Sequence, residues 1–290
     1  MRLRRIIQGR RVIDLVEWAL RRGGGLSTAR LRLLPDFILI GAQRSGTTSF
    51  FKHLCQHPEV HASFPKEVHF FTNNYHKGLN WYRSHFPLAT WKIKAERDGK
   101  QKFITGEATP YYLAHPHAPQ RASQVVPNAL LIVLLRNPID RAYSHYQHEV
   151  RMGVESLSFD EALDKEEERL LHESEKMAQD EHYCSFPHQH YSYLARGVYI
   201  DQILAWKRYF SSEAMLILAS ELFYAEPSTT IRRVTDKFGL ANWCLDNAKK
   251  YHVSSYSQMS TGTRSRLAAY FRPHNLRLFE TLNLDFDWEV

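Results

Sequence analysis

Short apolar runs alternate with amphipathic stretches along most of the chain. Runs typical of buried strands occur at Phe37–Ile40, Phe103–Gly106, Ala129–Leu135 and Met215–Ala219. Helical spacing of apolar residues predicts helices over Thr48–Gln56, Leu79–Phe86, Pro116–Val125, Ile139–Val150, Phe159–Lys176, Tyr199–Phe210, Pro227–Phe238 and Arg264–Leu282. Strands that alternate with helices form parallel sheets with helices on both faces. The pattern therefore predicts an α/β fold of three layers, in which helices flank a central parallel sheet.

The first residues follow a different pattern. Between Ile6 and Leu20 the apolar residues fall on one side of a helical wheel and the charged residues on the other, and the run Gly23-Gly24-Gly25 ends this helix. We divide the chain into a basic amphipathic arm, residues 1–34, and one domain, residues 35–290. The arm helix either packs on its own domain, which we favour, or lies on an anionic membrane surface.

Charge is concentrated in this arm. The chain has 38 Lys+Arg and 31 Asp+Glu residues, a formal net charge of +7. Residues 1–32 hold nine arginines but only two acidic residues, so the remainder carries 29 basic and 29 acidic side chains. The body therefore lacks the basic excess of a nucleic-acid-binding domain, and we expect no nucleic-acid partner. Peripheral membrane contact through residues 1–32 is an open alternative, and the sequence indicates no oligomeric state.

The cysteines and the hydropathy pattern bear on location. Cys55, Cys184 and Cys244 are odd in number and widely spaced, which does not suggest a disulfide framework. No apolar run approaches the ~20 residues of a membrane span. We therefore expect a cytoplasmic protein.

The strongest local motif follows the first strand. The segment Gly41-Ala42-Gln43-Arg44-Ser45-Gly46-Thr47-Thr48 has the glycine spacing of a P-loop, and it opens a helix whose N-terminus can bind an anion. A nucleoside-triphosphatase needs a lysine where this chain has Thr47, and a magnesium-binding aspartate where it has Arg136. The residues thus favour phosphate binding without a metal, on a P-loop-type fold. A P-loop kinase or nucleotide hydrolase is the alternative.

Several motifs together resemble one family. The loop resembles the 5′-phosphosulfate loop of sulfotransferases that use 3′-phosphoadenosine 5′-phosphosulfate (PAPS), and Leu135-Arg136-Asn137-Pro138-Ile139-Asp140-Arg141-Ala142-Tyr143-Ser144 resembles their 3′-phosphate segment. Pro65-Lys66-Glu67-Val68-His69-Phe70-Phe71 is similar to the heparan sulfate glucosaminyl N- and 3-O-sulfotransferases and their bacterial relatives. The resemblance covers about residues 36–288 and implies a PAPS-dependent sulfotransferase.

The resemblance also implies roles for individual residues. Those expected to bind the cofactor are Arg44, Ser45, Gly46, Thr47, Thr48, Ser49, Arg136 and Ser144. The two threonines are expected to cap the helix as well. Arg44 stands where the family has lysine; because its guanidinium keeps its charge, we expect it to stabilise the leaving phosphate rather than donate a proton.

The resemblance implies that Glu67 is the general base, and neighbouring aromatic residues lead us to expect a raised pKa for its carboxyl group. A structural pair between Glu67 and Lys66 or an arginine is the alternative. His69 either orients Glu67 or the acceptor, or is a hydrogen-bonded core histidine.

The acceptor side is less determined. The glucosaminyl enzymes have a lysine where this chain has Ala108, and Glu107 is either an acceptor ligand or a structural carboxylate. The cluster His182, Cys184, His188 and His190 matches no common zinc spacing. We therefore expect no metal, and an acceptor-side loop that includes Tyr183, Tyr191 and Tyr193. The expected acceptor is an intracellular glycan or small metabolite with a hydroxyl or amine; a non-catalytic membrane-surface adaptor is a further alternative.

Overall fold

A five-stranded parallel sheet forms the centre of the computed structural model, which describes residues 25–97, 101–245 and 257–288. Its strands are β1 (Phe37–Gly41), β2 (Val60–Ala62), β3 (Ile104–Ala108), β4 (Leu130–Leu135) and β5 (Met215–Ala219), in the order β2-β3-β1-β4-β5. Every neighbouring pair is parallel. This topology places the carboxyl ends of all five strands at one edge, where open α/β sheets bind their ligands.

The helices pack on both faces of the sheet. They are α1 (Thr47–Leu54), α2 (Gly78–Arg83), α3 (Ala89–Arg97), α4 (Ala118–Val125), α5 (Pro138–Arg151), α6 (Phe159–Asp164), α7 (Glu166–Leu170), α8 (Glu173–Gln179), α9 (Phe186–His190), α10 (Tyr199–Lys207), α11 (Ser220–Ala225), α12 (Pro227–Phe238) and α13 (Thr261–Leu282). Short 3₁₀ turns occur at Ala29–Leu31, Tyr75–Lys77, Pro110–Tyr112 and Ala195–Gly197.

Alternate residues of the central strands enter two separate cores. On one face, Ile38, Ile40 and Val133 pack with side chains of α2, α4, α10 and α13. On the other face, Leu39 and Ile132 pack with side chains of α1, α11 and α12. Because side chains alternate along a strand, a strand buried on both faces is apolar throughout. The predicted three-layer fold is confirmed.

Several elements differ from the sequence-based prediction, and helices α3, α9 and α11 were not predicted. Strand β2 was not predicted, because it has three residues and only Val60 is a buried apolar residue. The single helix predicted over Phe159–Lys176 is three short helices, α6 to α8. The chain turns at His172, whose φ of 62° lies in the left-handed region and ends a helical path.

The last residues of the predicted arm contact the body. Arg32 is buried, and its Nη1 donates a hydrogen bond of 2.6 Å to the carbonyl oxygen of Phe86. The amphipathic helix predicted before Gly23 lies outside the described residues. Among the helices that the structure describes, none is long and apolar enough to cross a membrane.

Candidate active site

A cavity of about 890 Å³ opens at the carboxyl edge of the sheet. Its wall includes residues from the segments after β1, β2, β3, β4 and β5. Of the predicted site residues, those in the wall are Arg44, Gly46, Thr47, Thr48, Ser49, Glu67, His69, Arg136 and Ser144. Side chains that lie far apart in the sequence therefore meet in one cavity because parallel strands end together.

The phosphate loop ends at the N-terminus of α1. Gly46 is the N-cap residue, with φ of 83°, and a Cβ at this position would lie 2.5 Å from the Tyr224 hydroxyl oxygen. Only glycine suits this conformation and this close approach. Thr47 and Thr48 are the first two residues of the helix, so the expectation that they cap it is wrong. Because Gly46 has no side chain to cap the helix, the first N–H groups of α1 are suited to bind an anion.

Ser45 is placed differently from the other predicted cofactor-binding residues. It is fully buried, and it is absent from the cavity wall. Its carbonyl oxygen accepts a hydrogen bond of 2.8 Å from the Ser220 hydroxyl group, which ties the loop to the residue after β5. Ser45 therefore anchors the loop through its backbone, and its side chain does not line the cavity.

Arg44, Arg136 and Ser144 form a polar cluster beside the loop. Arg44 Nε donates a hydrogen bond of 3.2 Å to Ser144 Oγ, and Arg136 Nη1 lies 3.4 Å from the carbonyl oxygen of Arg44. Arg136 follows β4 directly, and Ser144 lies on α5, the next helix. The predicted pairing of Arg136 and Ser144 at one anion site is consistent with this arrangement, and Arg44 extends toward the same place.

Glu67 lines the cavity and has two basic neighbours. Its Oε1 accepts a hydrogen bond of 2.6 Å from Lys66 Nζ, and its Oε2 lies 3.6 Å from His69 Nε2. Lys66 Nζ also donates a hydrogen bond of 3.1 Å to Thr48 Oγ1. The pair with Lys66, which was considered above as a structural alternative, therefore forms beside the cavity wall and joins the Glu67 segment to the phosphate loop.

The pKa of Glu67 moves in the direction opposite to that expected from the sequence. Partial burial opposes ionisation, but the His69 ring and the Lys66 ammonium outweigh it and lower the pKa to about 2. The aromatic neighbours Phe70 and Phe71 instead point into the core. Glu67 is thus ionised at neutral pH and can accept a proton, although it is a weaker base than a raised pKa would give.

Glu107 is a structural carboxylate, which decides the alternative left open above. It is fully buried and accepts hydrogen bonds from the hydroxyl groups of Tyr82 (2.6 Å), Thr109 (2.8 Å) and Tyr112 (3.1 Å). Burial raises the pKa of Glu107, while these hydrogen bonds act against the rise. The Tyr112 oxygen accepts a hydrogen bond of 2.8 Å from the Phe70 N–H. Glu107 thereby fixes the segment that carries Glu67.

The remaining part of the cavity wall includes both polar and aromatic residues. His190 contributes, and its Nδ1 lies 2.9 Å from Oε2 of Glu149, which also lines the cavity. The three tyrosines expected here are absent from the wall. Their hydroxyl groups bind elsewhere: that of Tyr183 to Glu173, that of Tyr191 to the carbonyl oxygen of Val154, and that of Tyr193 to Glu155. No group of metal-ligating side chains occurs in the described ranges.

Comparisons with known proteins show the family to which the chain belongs. Residues 34–275 match the sulfotransferase domain family. The chain is 28% identical to the mouse bifunctional heparan sulfate N-deacetylase/N-sulfotransferase 4, over 86% of this chain and 30% of that protein. It is also 28% identical to mouse heparan sulfate glucosamine 3-O-sulfotransferase 3B1, over 91% of this chain and 67% of that protein.

One solved structure is similar to this chain along nearly the whole length of the solved protein. The sulfotransferase from Alicyclobacillus acidocaldarius is 30% identical to this chain, with a TM-score of 0.66, over 88% of this chain and 98% of that one. The chain belongs to the sulfotransferase domain family and is a PAPS-dependent sulfotransferase by class. It spans only about 30% of the bifunctional relatives, so their complete activities do not transfer to it.

The Glu107 network gives a stability prediction. Tyr112→Phe and Tyr82→Phe each remove one hydroxyl donor to Glu107, but only Tyr112→Phe also leaves the buried Phe70 N–H without its acceptor. We expect Tyr112→Phe to lower the free energy of unfolding by about 1–3 kcal/mol more than Tyr82→Phe does, the usual cost of an unpaired buried donor. Urea unfolding of both variants measures the difference. Equal losses would contradict the proposed link between Glu107 and the base segment.

Proposed function

We propose that this protein transfers the sulfuryl group of PAPS to a hydroxyl or amine of a sugar or small-metabolite acceptor. One observation carries the proposal: an anion site and an ionised carboxylate face the same cavity. The anion site comprises the N-terminus of α1, Arg136 and Ser144, and the carboxylate is that of Glu67. These are the two functions that sulfuryl transfer requires, one for the leaving phosphate and one for the acceptor's proton.

The residues of this site fit an anionic donor. The uncapped N–H groups of α1 suit a 5′-phosphate, and Arg136 and Ser144, which lie beside Arg44, suit a second, 3′-phosphate. Arg136 directly follows β4, where a nucleotide hydrolase would have a metal-binding aspartate. Neither Arg136 nor Thr47, which stands where such an enzyme would have its lysine, favours a kinase or a hydrolase. We propose PAPS as donor and no metal in the reaction.

Each step can be assigned to a side chain. Bound PAPS supplies an activated sulfuryl group. Glu67 takes the proton of the acceptor hydroxyl or amine, and His69, 3.6 Å from the Glu67 carboxylate, keeps the carboxylate oriented. Arg44 stabilises the negative charge that develops on the leaving phosphate, and it does so without giving up a proton. The Glu107 network holds Glu67 at a fixed place in the cavity wall.

Reciprocal effects of two substitutions test these assignments. Glu67→Gln removes the base but no anion contact, so we expect turnover to fall by ~10² or more while the Kd for adenosine 3′,5′-bisphosphate stays within about threefold. Arg136→Ala removes an anion contact, so we expect that Kd to rise by about tenfold or more. Arg233→Ala, at an exposed position of α12, is the matched control.

Calorimetry gives the Kd, and transfer of radiolabelled sulfuryl groups gives the turnover. If Glu67→Gln kept normal turnover, the general-base assignment would be wrong. Loss of bisphosphate binding in Glu67→Gln but not in Arg136→Ala would reverse the two proposed roles.

Fewer observations bear on the identity of the acceptor. The names of the two mouse relatives point to a glycan, heparan sulfate. In this chain, however, the position of the family lysine is Ala108, whose side chain is fully buried in the core. The polar wall that includes His148, Gln189 and His190 suits a hydroxyl-rich acceptor. We therefore propose a sugar or small metabolite other than heparan sulfate, to be identified by labelling a cell extract with radioactive PAPS.

We further propose a cytoplasmic protein, and the second interpretation of its arm, contact with anionic membrane surfaces, predicts a measurable difference. Two observations support this: all three cysteines are unpaired, and the nine arginines of residues 1–32 are almost unopposed. Because Arg32 is part of the body, the deletion that tests the arm should remove only residues 1–24. We expect the full chain to sediment with phosphatidylserine vesicles at low salt, and the shortened chain to stay in solution. Equal sedimentation of the two proteins would exclude the arm as the membrane contact.

A further inference from the structure

The proposed function assigns no role to Lys66, although this residue contacts two residues that have one. Its Nζ lies 3.1 Å from Thr48 Oγ1 and 2.6 Å from Glu67 Oε1, so one ammonium group contacts two residues of the cavity wall. Its side chain is 21% exposed, and that of Glu67 is 46% exposed. Lys66 is not itself a residue of the cavity wall, but its ammonium group lies between two residues that are.

The two contacts of Lys66 mark the two ends of the reaction. Thr48 belongs to the loop proposed to bind the 5′-phosphate, from which the sulfuryl group departs. Glu67 is the residue proposed to take the acceptor's proton, and so it lies beside the atom to which the sulfuryl group moves. A cation within hydrogen-bond distance of both residues is placed along the path between these two ends.

The arginines near the loop have other contacts. Arg44, assigned above to the leaving phosphate, stands at the family's lysine position, and its Nε donates to Ser144 Oγ. Arg136 also contacts Arg44 and not the base. Among the lysine and arginine side chains that the structure describes, Lys66 is the one paired with Glu67.

We propose that Lys66 is a further catalytic residue, whose ammonium donates hydrogen bonds to the sulfuryl group as it moves from the phosphate to the acceptor. The inference rests on the proposed function. In this step Glu67 receives the acceptor's proton, and Lys66 keeps its own protons. The new bond from sulfur to the acceptor forms as the bond from sulfur to the phosphate oxygen breaks, and the phosphate retains that electron pair. An oriented cation at such a position stabilises charge without reorganisation.

A role confined to tuning Glu67 makes a different prediction. Removing the Lys66 charge would raise the pKa of Glu67, because that charge lowers it, while His69 would continue to act in the same direction. The carboxylate would then be a stronger base that is still ionised at neutral pH. Turnover at neutral pH would be maintained or increased, whereas loss of a contact to the sulfuryl group would decrease it.

The test compares binding of PAPS and of adenosine 3′,5′-bisphosphate, which lacks the sulfuryl group. Calorimetry is done at neutral pH without acceptor, on wild type and on Lys66→Met. Lys66→Gln is the second neutral variant, in case the first folds poorly, and Lys94→Met, at an exposed lysine of α3, is the matched control. Thermal unfolding confirms that each variant is folded.

We expect Lys66→Met to weaken PAPS binding by about tenfold or more while bisphosphate binding stays within about threefold, as loss of a charged hydrogen bond to the sulfuryl group alone would do. Turnover at neutral pH should fall by ~10² or more, and Lys94→Met should change neither quantity. If the ratio of the two affinities is unchanged in both Lys66 variants, the proposal is wrong, whatever the turnover. If wild type binds neither nucleotide, the proposed function itself fails.

Discussion

The candidate site depends on the hydrogen bonds to the buried carboxylate of Glu107. A fully buried carboxylate is costly unless hydrogen bonds compensate, and here three hydroxyl groups donate to it. One of them, Tyr112, accepts from the Phe70 N–H, and Thr109 Oγ1 lies 3.4 Å from the His69 backbone nitrogen. The chain between β2 and α2 has little regular structure of its own. These contacts therefore set where Glu67 lies relative to the phosphate loop.

The second constraint is the parallel sheet. It brings charged side chains together at one edge of the domain, although residues 33–290 carry no formal net charge. Because β1 and β4 are neighbours and run in the same direction, the loop after β1 and Arg136 after β4 are adjacent. The anion site therefore needs only helix N–H groups and a few placed side chains. The +7 of the whole chain describes the arm, and the binding of an anionic donor does not require it.

Most of the architecture could be predicted from sequence, and the details of the site could not. Apolar runs and glycine spacing are local signals, so four strands, the loop and Arg136 were found. Strand β2 is too short to show a period, and the left-handed turn at His172 has no glycine to mark it. The lowered pKa of Glu67, the burial of Ser45 and the contact of Lys66 with Thr48 depend on tertiary neighbours. Only the adjacency of Lys66 and Glu67 in the sequence gave a hint of their pairing.

The central claim is that this cavity binds two phosphate groups of one nucleotide without a metal. Calorimetric titration of the full chain with adenosine 3′,5′-bisphosphate and with adenosine 5′-monophosphate, each with excess EDTA, tests it most directly. We predict that the bisphosphate binds at least about tenfold more tightly than the monophosphate, because only its 3′-phosphate engages Arg136 and Ser144, and that EDTA has no effect. Equal affinities for the two nucleotides, or bisphosphate binding that requires magnesium, would contradict it.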